Sequence, residues 1–373
     1  MAATAPPEVN REIPVLRAHM QELDSVRGVA ILMVLFYHGF HWGIDFSRFP
    51  PIEKIFSQAA WAGRLGVNLF FVLSGFLITG LLLKAKETGK YYRKFYIRRG
   101  LRILPAYAVT LLVLAVTGTP MKFIGLSLVY LSNFTLLFGV ASAYPVLWSL
   151  AVEEHFYLLW PIVVRRLTGR SLLAVCVGIV LLSPLMRWIT FEIAARQGWV
   201  SYQIFNYSWN SADGLACGGL LAVWLREFAP SRRTFSKVLL GVVAGGMALL
   251  PFSLFSKHGA VGAAMQVVPW NLVFAGMTGA ALLAGSRWGD RVRQRWLEFF
   301  GEISYGLYLY HLLVFQGFEQ LVNKGIIPRL HIDPFLGLSI RFVICGGVAT
   351  GIAYLSRRYL EEPFLRLKTR LAP

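Results

Sequence analysis

The sequence predicts an all-α integral membrane protein with about ten transmembrane helices, both termini cytoplasmic, and a re-entrant or interfacial segment near residues 123–140. Three observations carry this reading. Of the 373 residues, 56% are hydrophobic and 15% charged, against roughly 25% charged in soluble domains, and the mean hydropathy is +0.57. Apolar runs of spanning length, ~20 residues, recur along the chain. The net charge of +18 sits in short clusters between those runs. That pattern orients membrane helices and sets nucleic-acid binding aside.

The elements follow in order. Residues 1–22 are polar, carry Pro6, Pro7 and Pro14, and hold no apolar core or cleavage site. They are expected to form a cytoplasmic segment, with the first span directing its own insertion. Apolar runs then fall at about 23–43, 64–84, 101–118, 147–164, 171–190, 212–226, 237–256, 264–286, 303–322 and 336–356. The run 123–140 is ambiguous, because Tyr130, Ser132, Asn133 and Thr135 interrupt it. Basic residues arbitrate. If 123–140 does not cross, 26 of the 37 lysines and arginines, from Arg11 and Arg17 to Arg370, share the face of the termini. The other face takes 9, Arg187 among them. If it crosses, the asymmetry collapses. Residues 23–366 are therefore read as one membrane-embedded domain and 367–373 as a cytoplasmic tail, in a bacterial-type cytoplasmic (inner) membrane. No internal repeat or second domain is apparent.

Ionisable groups inside a span are expensive and face the protein interior. The first run, LDSVRGVAILMVLFYHGF, aligns Asp24, Arg27 and His38 on one stripe. At ~1.5 Å per residue His38 lies ~20 Å from the end that holds Asp24. The fourth run, LWSLAVEEHFYLLWP, travels the other way, and Glu153 is expected at a similar depth, ~21 Å from the inner boundary of a ~30 Å core. Ser149, Glu153 and Tyr157 are spaced by four and share a face, while Glu154 points about 100° away. For any one of these residues alone an ordinary role suffices: Asp24 and Arg27 pairing at the interface, His38 bonded to a carbonyl. His38 and Glu153 together, with His311 in GEISYGLYLYH, favour a reactive site. His41 and His155 are read as structural or supporting groups.

The cluster KYYRKFYIRRGLRILPAY sets topology. Its Arg98, Arg99 and Arg102 can also fork onto phosphate oxygens, of a ligand or of membrane lipids. Cys176, Cys217 and Cys345 lie singly in apolar runs; no disulfide and no metal site is expected. Trp42, Trp61, Trp148, Trp199 and Trp209 fall toward the outer side, as sugar-stacking rings or as an interfacial belt.

Six stretches occur in a familiar order: LDSVRGVAILMVLFYH, GVNLFFVLSGFLITGLLL, FYIRRGLRILPAY, LWSLAVEEHFYLLWP, ISYGLYLYH and YLEEPF. Through them the chain resembles acyltransferase family 3, integral membrane O-acyltransferases, over roughly 23 to 366. The resemblance implies a ten-helix enzyme that moves an acyl group, commonly acetyl, from cytoplasmic acyl-CoA to a hydroxyl of a sugar, cell-surface glycan or glycosylated small molecule. The family's helix-one arginine and histidine fall on Arg27 and His38. Its Trp-Ser-Leu and glutamate motif falls on Trp148, Ser149, Glu153 and Tyr157, and its arginines on Arg98, Arg99 and Arg102. The chain departs from the family at Asn68, where aspartate is frequent, at His155, where glutamine is frequent, and at Ser211, where an arginine often precedes the aspartate at Asp213. Many relatives add an extracellular hydrolase-like domain; with Pro373 as the last residue, this chain is expected to complete the transfer alone or with a partner.

The expected chemistry is general-base catalysis. A buried His38 should be neutral and able to accept a proton from the acceptor hydroxyl, with an acyl-histidine as a variant. Glu153 would steady the imidazolium, Asp24 and Arg27 would brace the helix, and Ser74 and Gly75 would leave room for the donor. Acyl-CoA, with acetyl-CoA as the expected form, is then a co-substrate and the acceptor a hydroxyl-bearing carbohydrate or small molecule. A proton-coupled transporter of a small polar solute is the rival reading, since buried His and Glu also relay protons, and a structural subunit is a third. Neither inverted repeats nor matched broken helices are visible in support of a transporter.

Overall fold

The structure, a computed structural model, describes residues 20–45, 49–198, 202–255, 259–288, 294–327 and 333–371. Most of the 1–22 segment, with Arg11 and Arg17, lies outside the described residues, as do Arg48, Trp199, Lys257, Arg291, Arg293, Arg329 and the last residues of the tail.

Among the described residues every regular element is helical. In chain order they are α1 (Gln21–Phe40), α2 (Pro51–Ala60), α3 (Gly66–Ala85), α4 (Tyr91–Val116), α5 (Met121–Leu128), α6 (Leu147–Arg166), α7 (Gly169–Arg196), α8 (Ser208–Phe228), α9 (Arg232–Phe255), α10 (Ala260–Met265), α11 (Val268–Trp288), α12 (Arg295–Glu302), α13 (Ser304–Asn323), α14 (Pro334–Leu355) and α15 (Glu362–Leu371). The ten apolar runs fall on the ten helices of 20 to 28 residues, α1, α3, α4, α6, α7, α8, α9, α11, α13 and α14. At ~1.5 Å per residue each is at least ~30 Å long, the thickness of a bilayer core.

Among the described residues, seven helical stretches are long and apolar enough to cross a membrane. They include α1, α3, α4, α7, α9, α11 and α14, and they make this a multi-pass membrane protein. Helices α6, α8 and α13 match them in length but carry Glu153 and Glu154, Asp213, and His311. Some of the polar residues that lower their hydropathy belong to the candidate site, Glu153 of α6 among them. Apolar side chains cover much of the outside: Leu181 is 68% exposed, Leu240 71% and Val343 70%, as lipid contact requires.

The 123–140 segment is too short-jointed to cross. It holds α5, of 8 residues, and a 3-10 turn at Ser132–Phe138. An eight-residue helix reaches ~12 Å, against ~30 Å for the core. Tyr130 between them takes a left-handed φ of 57°, which breaks the run. The segment folds against α4, where Tyr130 stacks on Tyr107 at 4.9 Å and the Tyr107 hydroxyl donates to the Ser127 carbonyl at 2.7 Å.

Two expectations need correction. Helix α4 begins ten residues before its apolar run, at Tyr91, so the basic cluster is itself helical. Tyr91 and Phe95 are buried while Arg93 and Arg98 face outward, an amphipathic turn that extends the span. Gly75 does not make room for a donor. Its Cβ position is filled by the Leu215 carbonyl of α8, and that of Gly218 by the Val72 carbonyl of α3. The two glycines let α3 and α8 pack backbone to backbone, as small residues do between membrane helices.

Candidate active site

Helix α1 carries chemistry at both ends. Near its start the Arg27 Nη1 donates to Asp24 Oδ1 at 2.7 Å. Eleven residues further, ~16 Å along the axis, stands His38. Each end borders a separate cavity.

The cavity beside Arg27 is small, about 90 Å³. Arg99 and Arg102, three apart on α4, project into it with Ser74 of α3 and Ser149 and Glu153 of α6. Ser74 Oγ donates to Glu153 Oε1 at 2.8 Å. Arg99 sits between two carboxylates, with Nη2 3.7 Å from Glu153 Oε2 and Nε 3.8 Å from Glu154 Oε1. Its guanidinium also lies 3.7 Å over the Tyr157 ring. Glu154, set aside in the sequence as pointing elsewhere, thus reaches the same arginine. Arg102 is within electrostatic reach of Arg27, Arg99 and Arg357. Three guanidinium groups, those of Arg27, Arg99 and Arg102, therefore line one small hollow, a ready site for phosphate oxygens. Arg98 is exposed and does not line this cavity.

The cavity beside His38 is larger, about 480 Å³. His38 lines it with Trp42, Trp61, Trp148, Arg64, Asn68 and Asn210. Sequence reasoning did not connect Arg187 with this wall. It had been counted as an outer-face charge, but lies inside α7 and is 1% exposed. It donates to Asp213 Oδ2 at 2.8 Å, to the Asn210 carbonyl at 2.6 Å and to the Ala264 carbonyl at 3.0 Å. The aspartate that lacks an arginine two residues before it thus finds one on the neighbouring helix. Asn68 donates to Asn271 at 3.2 Å. His155 meets Ser208 Oγ at 2.6 Å and stacks on Phe134, outside both cavities. His41 bonds the Ser57 carbonyl at 2.9 Å.

Two backbone carbonyls settle the protons of the histidine pair. His311 is fully buried, and its Nδ1 lies 2.9 Å from the Leu307 carbonyl. A carbonyl only accepts, so this nitrogen carries the proton and neutral His311 presents a bare Nε2. His38 Nδ1 lies 3.2 Å from that Nε2 and 3.0 Å from the Val34 carbonyl. Both are acceptors, so His38 is protonated on Nδ1 and its Nε2 keeps the lone pair. This tautomer assignment follows from the hydrogen-bond network. A neutral His38 in this setting can take a proton only at Nε2.

The expected partner of His38 was Glu153. Among the described residues the two share no hydrogen bond: Glu153 is engaged with Ser74 and Arg99, and His38 with His311. The link between the two ends is Tyr308, which the sequence reading passed over. Among the described residues only Tyr308 and Val67 line both cavities. The Tyr308 hydroxyl donates to the Val146 carbonyl at 3.0 Å and accepts from Ser149 Oγ at 2.5 Å. Its ring lies 6.0 Å from that of His311, one turn along α13. That i, i+3 spacing within GLYLYH was the available signal. Among the described residues no group of three or more His, Cys, Asp or Glu is placed to hold a metal.

A helical membrane protein with an arginine-lined hollow and a tautomer-fixed histidine across one partition is built for group transfer, and comparison with known proteins gives the class as acyltransferase. The sequence model of acyltransferase family 3, described as an acyltransferase domain, matches residues 20–358. The chain belongs to that family. The peptidoglycan O-acetyltransferase OatA of Listeria monocytogenes is 29% identical over 332 residues, 79% of this chain and 49% of its own. The putative peptidoglycan O-acetyltransferase YrhL of Bacillus subtilis is 30% identical over 376 residues, 91% of this chain and 54% of its own. A putative O-acetyltransferase of Staphylococcus aureus is 34% identical over 168 residues, 40% of this chain and 25% of its own. The chain spans about half the length of the first two relatives. No solved structure matches.

Proposed function

We propose that this membrane acyltransferase moves an acetyl group from acetyl-CoA to a hydroxyl of a cell-wall or other cell-surface glycan. The donor enters the arginine cavity from the cytoplasm. Arg99, Arg102 and Arg27 meet its phosphates, and Ser74 and Glu153 sit beside its arm. The acceptor occupies the histidine cavity on the outer face of the bacterial cytoplasmic membrane, among the indoles of Trp42, Trp61 and Trp148. His38 Nε2 takes the hydroxyl proton as the oxygen attacks the thioester carbonyl. The C–S bond breaks as the C–O bond forms, and the imidazolium returns its proton to the departing thiolate. His311 and Asp24 hold the two ends of the machinery in register, and Tyr157 fixes Arg99 through its ring.

The observation that carries this reading is the location of a base with a defined lone pair on one side of a thin partition and a cluster of guanidiniums on the other. The names of the relatives support an O-acetyl transfer to a glycan. The placement of the membrane domain at 23–366, with both termini cytoplasmic, rests on the charge asymmetry and stands with the proposal; reporter fusions at each terminus test it.

The function is tested by thiol release from acetyl-CoA by purified protein in nanodiscs, with soluble peptidoglycan fragments as acceptor probe. Wild type should release CoA. His38→Ala should lower the rate ~10²–10⁴-fold, the range of general-base catalysis, at unchanged CoA binding. Release that survives in a correctly folded His38→Ala protein would remove the histidine from the mechanism. Proton-coupled solute uptake without thiol release would return the transporter reading.

A further inference from the structure

The partition between the two cavities has a composition that the transfer reaction alone does not require. Among the described residues, one aliphatic and one aromatic side chain line both cavities, Val67 of α3 and Tyr308 of α13. Phe70, one turn from Val67, faces Tyr308 with ring centroids 6.3 Å apart and lines the arginine cavity. Tyr308 is not free to swing, since its hydroxyl is tied to both Ser149 and the Val146 carbonyl. Those two partners belong to the first turn of α6 and its cap, so the ring is pinned to the helix that carries Glu153.

We propose that Val67 and Tyr308 gauge the acyl chain and restrict the donor to a very short acyl group. The inference rests on the donor and base assignments above. A donor with its phosphates on Arg99 and Arg102 presents its thioester to the partition from the arginine side, and His38 delivers the acceptor oxygen from the other. Whatever extends beyond the carbonyl carbon must then lie against Val67, Phe70 and Tyr308, in a hollow of about 90 Å³ that admits little more than the thioester end. A methyl group fits against such a wall. Each further methylene either forces the pinned ring aside or intrudes on the acceptor. One methylene in a tight apolar pocket discriminates by ~10-fold or more, and packed walls resist added volume. The hydroxyl of Tyr308 thereby acts as a positioning group: it holds the ring in place and takes no part in the proton transfer.

The test measures binding of CoA and of its stable thioethers S-ethyl-CoA and S-hexyl-CoA to the full chain in nanodiscs, with empty nanodiscs subtracted. Wild type should bind S-ethyl-CoA at least about tenfold more tightly than S-hexyl-CoA. Val67→Ala should narrow that ratio about tenfold, and Tyr308→Phe, which keeps the ring and releases the latch, should narrow it by a smaller factor, with CoA binding by each variant as the reference. Equal binding of both thioethers by wild type, or a ratio unmoved in both variants while CoA still binds, overturns the gauge and leaves the donor reading intact. Failure of CoA and both thioethers to bind wild type overturns the donor reading and the gauge with it. The second variant guards against misfolding in the first, and monodisperse elution of each qualifies the result.

Discussion

The hollows at the two ends of α1 differ in size, charge and the way their polar groups are held. The arginine cavity is about 90 Å³, and its cations are held by neighbouring carboxylates, Arg99 by Glu153 and Glu154 and Arg27 by Asp24. The histidine cavity is about 480 Å³ and is lined by indoles and amides, with two arginines, Arg64 over the Trp61 ring and Arg187 in a buried ion pair with Asp213. A site that must hold its own like charges together without a ligand needs carboxylates within reach, because desolvated guanidiniums otherwise repel. A site for a neutral sugar needs flat apolar faces and amides, and can afford to be roomy. Under the proposed function, the charged lining suits a polyanionic donor and the indole and amide lining an uncharged acceptor.

That contrast can be broken experimentally. After the loss of rate at His38, the largest effect is expected at the Arg187–Asp213 pair. Arg187→Ala strands a buried carboxylate and should cost about 3–5 kcal/mol, read as a marked drop in thermal stability in detergent; an unchanged melting temperature would show that the wall does not depend on the pair. Next comes the donor side. Arg102→Gln should raise the KM for acetyl-CoA about tenfold, some 1.4 kcal/mol, with the acceptor KM unaltered. Arg98→Gln, off the cavity, should change neither by more than about twofold, the scale of an exposed charge. If both variants lose donor affinity equally, the phosphates sit outside the cavity. The smallest effect is expected at Trp61, whose ring carries the Arg64 guanidinium at 3.8 Å. Trp61→Ala should raise the acceptor KM by a few-fold, about 0.5–1.5 kcal/mol, and leave the donor KM alone. A donor effect there would erase the distinction between the cavities.

Much of this architecture was legible in the chain. The ten long helices coincide with ten apolar runs because a helix in lipid must satisfy its backbone internally, and length and hydropathy then leave few choices. The 123–140 segment was legible as non-crossing through charge asymmetry, and the left-handed Tyr130 shows the local cause. Of the site, Arg27, Ser74, Arg99, Arg102, Ser149 and Glu153 converge on one cavity, and His38 meets His311. What the sequence hid were pairings between helices. Arg187 with Asp213 and Asn68 with Asn271 depend on which faces of α7, α8, α3 and α11 meet, and periodicity within one helix carries no such information. The depth argument put His38 and Glu153 level but could not see Tyr308 between their cavities. Gly75 was misread for the same reason, since an empty Cβ position looks alike whether it admits a ligand or another backbone.

The partition at Val67 and Tyr308 also bears on electrical insulation. A protein with polar hollows at both ends of a membrane helix comes close to being a pore, and a continuous file of water from Arg102 to His38 would conduct protons down the membrane potential. Under the proposed function, a pinned aromatic ring beside a valine would let a carbonyl carbon be reached from both sides while keeping water in the two cavities apart. Widening that partition for longer donors should therefore carry a physiological cost that kinetics alone would not show. Proteoliposomes loaded with a pH-sensitive dye should hold a proton gradient with wild-type protein and lose it faster with Tyr308→Ala; equal leak rates would mean that the seal lies elsewhere.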